Sequence, residues 1–228
     1  MKLTAKQKSL LSWVIYLLFL VLAWFAIKSF ATVVKVDGHS MDPNLHTGQR
    51  VLVMKQAAIK RNSVIVFDAF GEDPTKLATT YYVKRVVGMP GDKIVYKNGK
   101  LYINNKLYKQ NYISKQQVSV GTRYKFQTDV IKNWDITKLS KEKWVDDQDE
   151  KVVPKGMYFV LGDNRSISND SRYWGFVEKR KVLGVVYAFP WSGNTTQRYN
   201  INDLQNKKAL NLIQRFFCWL LICCLMRY

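Results

Sequence analysis

The chain of 228 residues carries 36 Lys and Arg against 17 Asp and Glu, a formal charge of +19, with 47% apolar residues. This length suits one domain with appendages, and the apolar share is enough for a core. So basic a balance points to an anionic partner, nucleic acid or anionic lipid, but the charges are scattered in short groups such as Lys55–Lys60–Arg61 without a zinc-finger or RNA-recognition signature, so a generally solvated basic surface is read in preference to nucleic-acid binding.

The first element is the stretch MKLTAKQKSLLSWVIYLLFLVLAWFAIKSF. An uncharged apolar run extends from Leu10 to Ile27 behind Lys2, Lys6 and Lys8. About eighteen residues at 1.5 Å each just span a hydrocarbon core. Trp13, Tyr16 and Trp24 suit the interfaces, and the lysine excess before the run predicts a cytoplasmic N-terminus with the body outside. A cleaved signal peptide is the rival, with Ser29-Phe30-Ala31 as its cleavage site, but the run is long for a signal core. A buried soluble helix would show a polar stripe, which is missing. The expectation is a tail at 1–9, one transmembrane anchor at 10–27 in the plasma membrane, and an extracytoplasmic body at 28–208.

The body changes to short runs rich in Val, Ile, Tyr and Phe: ATVVKV, VLVM, SVIVF, TYYVKRVVG, KIVYKNGKLYIN, GMYFVLG and VLGVVYAF. Gly, Pro, Asn and Asp separate them, so the pattern predicts a mainly β, antiparallel body. Asn98-Gly99 predicts a tight hairpin. Residues from about 110 to 152 are polar and irregular and predict an inserted loop or small subdomain. The tail at 209–228 is apolar from Phe216 to Met226, too short to span a bilayer, and its role stays open. Cys218, Cys223 and Cys224 all lie there, so the body has no disulfide or thiolate chemistry. They lack a neighbouring His, and neither a metal nor a cofactor is expected.

GHSMDPNL, residues 38–45, poses the chemical question. Its residue types are ordinary turn formers. A serine such as Ser40 becomes a nucleophile only when a base takes its proton. His39 and His46 are the only histidines, and neither is placed naturally for that task. A lysine can serve if burial keeps it neutral. On a strand through TYYVKRVVG, Lys84 shares a face with Tyr82 and Val86, and Tyr81, Val83, Arg85 and Val87 take the other. The bland alternative is an edge-strand lysine whose head reaches water. GDNRSISNDSR by itself is a solvated polar loop, in which Asp163, Asp170, Arg165 and Arg172 can hold one another.

Four motifs in order carry a resemblance: the anchor followed by Ser40-Met41-x-Pro43, then NSVIVF, then YVKRVVGMPGD at 82–92, then GDNRSISNDSRYWGFV at 162–177. Together they resemble the bacterial type I signal peptidases. The resemblance implies the antiparallel β-sheet body of that family, with Ser40 as nucleophile and Lys84 as general base. It implies that Ser168 orients Lys84, that Asp163 pairs with Arg85 and that Asp170 pairs with Arg172. Val36, Met41, Leu45, Tyr82 and Val83 would line two shallow pockets for small residues at substrate positions −1 and −3. Several members carry an oxyanion-hole serine two residues before the nucleophile. That place is Gly38 here, so the hole would rest chiefly on the Ser40 backbone N–H, with Gly38 beside it. Asp37 and His39 also depart from the commoner residues. The implied partners are signal peptides of exported pre-proteins, membrane lipid and the nearby export machinery. LexA-like self-cleaving repressors share a Ser–Lys pair but need a DNA-binding domain, and a catalytically silent tethered module would not need both residues.

Overall fold

A computed structural model describes residues 5–203; the tail at 209–228 lies outside the described residues. The elements in chain order are α1 (Ala5–Phe30), β1 (Ala31–Lys35), β2 (Arg50–Met54), β3 (Val64–Asp68), β4 (Tyr81–Gly88), β5 (Ile94–Lys97), β6 (Lys100–Ile103) and β7 (Lys106–Leu107). After them come β8 (Tyr124–Phe126), β9 (Asp129–Ile131), β10 (Trp134–Asp135), α2 (Ile136–Glu142), β11 (Met157–Leu161), α3 (Ser171–Trp174), β12 (Val177–Glu178), β13 (Val182–Ala188) and α4 (Thr195–Arg198). Every Val- and Ile-rich run named above becomes a strand, because branched side chains pack well on a pleated surface.

The main sheet has seven strands in the order β1-β2-β13-β3-β4-β11-β12, and all its pairings are antiparallel. A second sheet runs β10-β5-β6-β7, and β8 and β9 form a separate hairpin. The mainly antiparallel β architecture is therefore as expected. Strand β4 pairs with β3 along its length and with β11 from Arg85 to Gly88; Lys84 pairs with Ile65 of β3, and its side chain is buried. That burial is at odds with a lysine head that reaches water.

Two apolar clusters flank the main sheet. Val36, Met41, Leu45, Val51, Val53, Val64 and Val66 belong to one, with Val83 packed against it. Ile65, Phe67, Val86, Val160 and Trp174 belong to the other, with Tyr82 packed against it. Tyr82 and Val86 thus fall on one side and Val83 on the other, as the two-residue period of a strand requires.

A third cluster draws on the segment 110–152. Tyr124, Trp134, Ile136, Leu139 and Trp144 bury themselves with Tyr96, Leu101, Phe159 and Phe176. Trp134 stacks on Tyr96 with ring centroids 5.5 Å apart. Strand β10 extends the β5–β6 sheet by pairing Trp134 with Tyr96. Asp135 caps α2 by accepting from the Lys138 N–H. The segment is one wall of a core shared with the body. Its apolar residues are spaced singly among polar ones, so no periodic signal announces them.

Helix α1 has 26 residues. Its described apolar side chains, among them Trp13, Leu17, Phe19 and Leu22, are exposed. Side chains are described without a break only over 11–22, and among the described residues no helix is long and apolar enough to cross a membrane. The Lys55 N–H donates to the Phe30 carbonyl, and Lys55 Nζ donates to the Lys28 carbonyl, so the helix end is fastened to the residue after β2.

At the β5–β6 hairpin, Lys97 pairs with Lys100 across Asn98 and Gly99, whose φ values are 52° and 72°. Both turn positions are left-handed, which a glycine adopts freely. A Cβ on Gly99 would also come within 3.3 Å of the Ser119 side chain. Gly99→Ala is expected to lower unfolding stability by about 1–2 kcal/mol. A urea titration of the full chain in detergent checks this, and an unchanged midpoint would show that the turn tolerates a side chain.

Candidate active site

The site is assembled from the turn after β1, the middle of β4 and the loop between β11 and α3. The turn is held by the Asn44 and Leu45 N–H groups donating to the Met41 carbonyl, and by Met41 and Leu45 anchored in the core. The Asp42–Pro43 peptide is cis. The Asn164 N–H donates to the Ser40 carbonyl over 3.0 Å, which ties the turn to the β11–α3 loop.

Lys84 Nζ stands 2.8 Å from Ser40 Oγ. The lysine is buried, and its ammonium-bearing end lies 5.1 Å from the Tyr82 ring centroid. Burial pulls the Lys84 pKa down from its ordinary 10.5 to about 8, Asp170 opposes this, Arg172 reinforces it, and Asp163 and Asp73 oppose it more weakly. Neither histidine bonds Ser40. His39 Nδ1 lies 2.8 Å from Asp42 Oδ2, and His46 Nδ1 lies 2.5 Å from Asp42 Oδ1.

Two aspartate–arginine pairs close the site from behind. Arg85 donates from Nε to Asp163 Oδ1 over 2.8 Å and from Nη2 to Oδ2 over 2.6 Å. Arg172 donates from Nε to Asp170 Oδ1 over 2.8 Å and from Nη2 to Oδ2 over 2.9 Å. All four side chains are fully buried. Fork-to-fork geometry of this kind is the strong form of a charge-assisted hydrogen bond. Burial pushes the Asp170 carboxyl up, but the Arg172 charge and hydrogen bond outweigh it and hold the group below the usual carboxylate range. Burial likewise works against the Arg85 charge, and Asp163 outweighs it.

Arg165 departs from the expected mutual pairing. It donates to the Gly162 carbonyl, to Thr122 Oγ1 and to the Tyr112 hydroxyl, and to no carboxylate. Ser168 also differs from its implied role. Its hydroxyl is buried and makes no hydrogen bond to Lys84, and it stands close enough to the Asp170 carboxylate to help hold that group low. The hydroxyl instead crowds Gly162, where an added Cβ would collide with it and with the Ser40 carbonyl. Gly38 does not offer a free donor, because its N–H donates to Thr47 Oγ1 over 2.7 Å. The five implied pocket residues are split. Val36, Met41 and Leu45 are buried in the core, and Tyr82 and Val83 face opposite clusters. A cavity of about 250 Å³ opens beside Pro43 and Asn44, and none of the five lines it.

Sequence reasoning missed several residues of this shell. Asn44 donates to Asp163 Oδ2 and accepts from Asn200 Nδ2. Gln117 Nε2 donates to Asn164, and its Oε1 accepts from the Ser166 N–H. Asn44, Asn164 and Asn169 lie inside motifs already singled out, so polar residues beside a candidate nucleophile were the available signal. Asp73 and Gln117 carry no such signal.

Comparison with known proteins gives the family. Residues 10–191 match the model of the family described as signal peptidase, peptidase S26. The chain belongs to that family. It is 32% identical over 206 residues to a protein named signal peptidase IB from Staphylococcus aureus strain MRSA252, covering 88% of this chain and 99% of that one. It is 33% identical over 192 residues to signal peptidase I of Bacillus licheniformis, covering 80% of this chain and 89% of that one. A crystal structure of a signal peptidase I from Enterococcus faecalis V583 aligns at TM-score 0.43 and 30% identity, over 57% of this chain and 97% of that one. The chain is a serine peptidase, a hydrolase.

The buried lysine of this family member makes a stability prediction independent of turnover. Below pH 8 both folded and unfolded chains hold the Lys84 proton, and the folded chain bears the full cost of burying it. Between pH 8 and 10.5 only the unfolded chain keeps the proton, so stability rises with pH; above 10.5 the cost is gone. A fall from 10.5 to about 8 at 1.36 kcal/mol per pH unit is about 3 kcal/mol. The stability advantage of Lys84→Met over the parent chain should therefore shrink by about 3 kcal/mol between pH 8 and 10.5. Parallel denaturation curves across that range would show that the lysine is not desolvated.

Proposed function

We propose that this chain is a membrane-anchored serine endopeptidase that cleaves N-terminal signal peptides from exported pre-proteins after small residues, with Ser40 as nucleophile and Lys84 as general base. The observation that carries the reading is the 2.8 Å approach of Lys84 Nζ, at a buried position of β4, to Ser40 Oγ. Once neutral, the lysine nitrogen accepts the hydroxyl proton across that same distance. Ser40 Oγ bonds to the scissile carbonyl carbon, and the Ser40 backbone N–H supports the developing oxyanion. Collapse breaks the C–N bond as the lysine returns its proton to the leaving amine. Lys84 then takes a proton from water, which attacks the ester and frees Ser40.

The two arginine-paired aspartates support the neutral lysine, and Ser168 comes within its reach only through a shift on substrate binding. By resemblance to the family, Val36, Met41, Leu45, Tyr82 and Val83 underlie the subsites for the −1 and −3 side chains. Residues 10–27 serve as the anchor and 28–208 as the extracytoplasmic peptidase domain, with the N-terminus in the cytoplasm. The uncharged length of 10–27 and the exposed apolar side chains of α1 support this. Membrane lipid and the export machinery are then its neighbours.

Cleavage of one signal-peptide substrate by the full chain in detergent tests the dyad. Ser40→Ala, Lys84→Ala and Lys84→Arg should all be inactive, because an arginine stays protonated. The acidic limb of kcat/KM should report a group near pH 8, with activity rising as pH rises through it. Near-normal activity in Lys84→Arg would remove the lysine from the mechanism. Changing −1 Ala to Leu should cost about a hundredfold or more through overpacking, and the same change at −2 far less. Equal tolerance at the two positions would show that no pocket reads −1.

A further inference from the structure

The turn from 69 to 80, between β3 and β4, buries a carboxylate that the proposed reaction leaves unused. Asp73 is 1% exposed. None of the described ion pairs includes it. Its Oδ1 accepts from the N–H and hydroxyl of Thr75, at 3.0 and 2.7 Å, which shapes the turn locally. Its Oδ2 leaves the turn and accepts from the Tyr82 hydroxyl at 2.8 Å and from Asn169 Nδ2 at 2.7 Å. One oxygen therefore bridges the strand that carries Lys84 and the loop that carries Ser168. Tyr82 is the ring beside the lysine nitrogen, and Asn169 sits between Ser168 and Asp170.

We propose that Asp73 is a positioning residue of the peptidase, holding Tyr82 against Lys84 and fastening the Ser168–Asp170 loop to the substrate side of the site. This rests on the Ser40/Lys84 reading. A local turn needs only Oδ1, which an Asn or Ser supplies without a buried charge. A buried carboxylate without a paired cation is costly. A charged acceptor holds two donors more tightly than a neutral one. The bridge spans residues 73, 82 and 169, so its geometry is set by the site and not by the turn.

The charge has a second consequence. The groups facing Lys84 are Ser40 from the nucleophile turn, Tyr82 from its own strand, Asp163, Asp170 and Arg172 from the β11–α3 segment, and Asp73 from the β3–β4 turn. Lys76 lies on the Tyr82 ring, 5.7 Å from its centroid. Asp163 and Asp170 each have an arginine of their own, and Asp73 has none. Removing its charge should let the lysine release its proton at lower pH.

The test is peptide cleavage by the full chain in detergent, with Asp73→Asn, Tyr82→Phe and their double variant. Asp73→Asn should lower kcat/KM about tenfold to a hundredfold, the range for losing a hydrogen bond to a charged group. Its acidic limb should move to lower pH with the fold intact by circular dichroism. Tyr82→Phe should cost less, and the double variant should be little worse than Asp73→Asn alone, because the two act through one contact. A normal kcat/KM in Asp73→Asn overturns the proposal, as does a loss with an unmoved limb that multiplies with the Tyr82→Phe loss. If Asp73→Asn does not fold, Tyr82→Phe and Asn169→Ala replace it, and a combined loss smaller than the product of the two supports the bridge. Independent or absent effects there overturn it. Activity in the Lys84→Ala control would instead break the dyad reading, so the two failures are distinguishable.

Discussion

The proposed mechanism depends on keeping a lysine uncharged inside a protein while carboxylates stand close by. Lys84 is buried, Ser40 Oγ is 2.8 Å away, and three aspartates act on it electrostatically. A free carboxylate at ion-pair distance would hold the ammonium form and leave the serine without a base. The fold avoids this by giving Asp163 to Arg85 and Asp170 to Arg172, each through two parallel hydrogen bonds. Buried pairs of this kind add little net stability, but breaking one exposes an uncompensated charge. Burial thus favours the neutral lysine that the proposed chemistry needs, against the pull of the aspartates.

That arrangement is rigid because the second core stands behind it. Trp144 Nε1 donates to the Arg172 carbonyl, and Arg172 Nη1 donates to the carbonyls of Gly121 and Arg123. Arg165 reaches Thr122 and Tyr112. Every one of these partners lies in 110–152. The segment that looked like an accessory insertion supplies acceptors for both arginines of the polar loop. Burying Trp134, Leu139 and Trp144 fixes where those acceptors stand, so apolar packing is converted into the position of charged groups.

What was legible in the sequence was local. A strand has a period of two, so TYYVKRVVG places Tyr82 and Lys84 on one face before any coordinates exist. Asn98-Gly99 permits only a tight turn. The motifs that carried the resemblance also contain both aspartate–arginine pairs. The rest was long-range. Lys84 meets a serine 44 residues away, and Asp73 meets an amide 96 residues away. Nothing near Asp73 in sequence distinguishes it from an ordinary turn aspartate. The aromatic residues of 110–152 find their partners across two sheets, so no window within the segment shows a period. The Ser168 hydroxyl is the clearest divergence from the family expectation. The backbone of its loop is fixed by the Asn164 carbonyl and by Asp170, whose Oδ2 accepts from the Gly162 N–H, and that leaves the hydroxyl turned against Gly162.

The same geometry constrains where the site can work if α1 lies in a bilayer. Helix α1 ends at Phe30, and β1 begins at the next residue without a linker. Lys55 bonds the carbonyls of both Lys28 and Phe30, so the junction is part of the sheet's edge and not a free hinge. Strand β1 pairs with β2 over five residues, from Ala31 with Met54 to Lys35 with Arg50. Ser40 follows five residues after the strand. Ten residues from helix end to nucleophile reach roughly 35 Å at full extension, and the turn at 38–47 shortens that. A peptide emerging from the membrane surface would meet Ser40 within that distance. A substrate far from the bilayer would not, whatever its sequence. On the proposed reading the short tether acts as a filter of its own, because it limits the reach of Ser40 to peptides near the membrane surface.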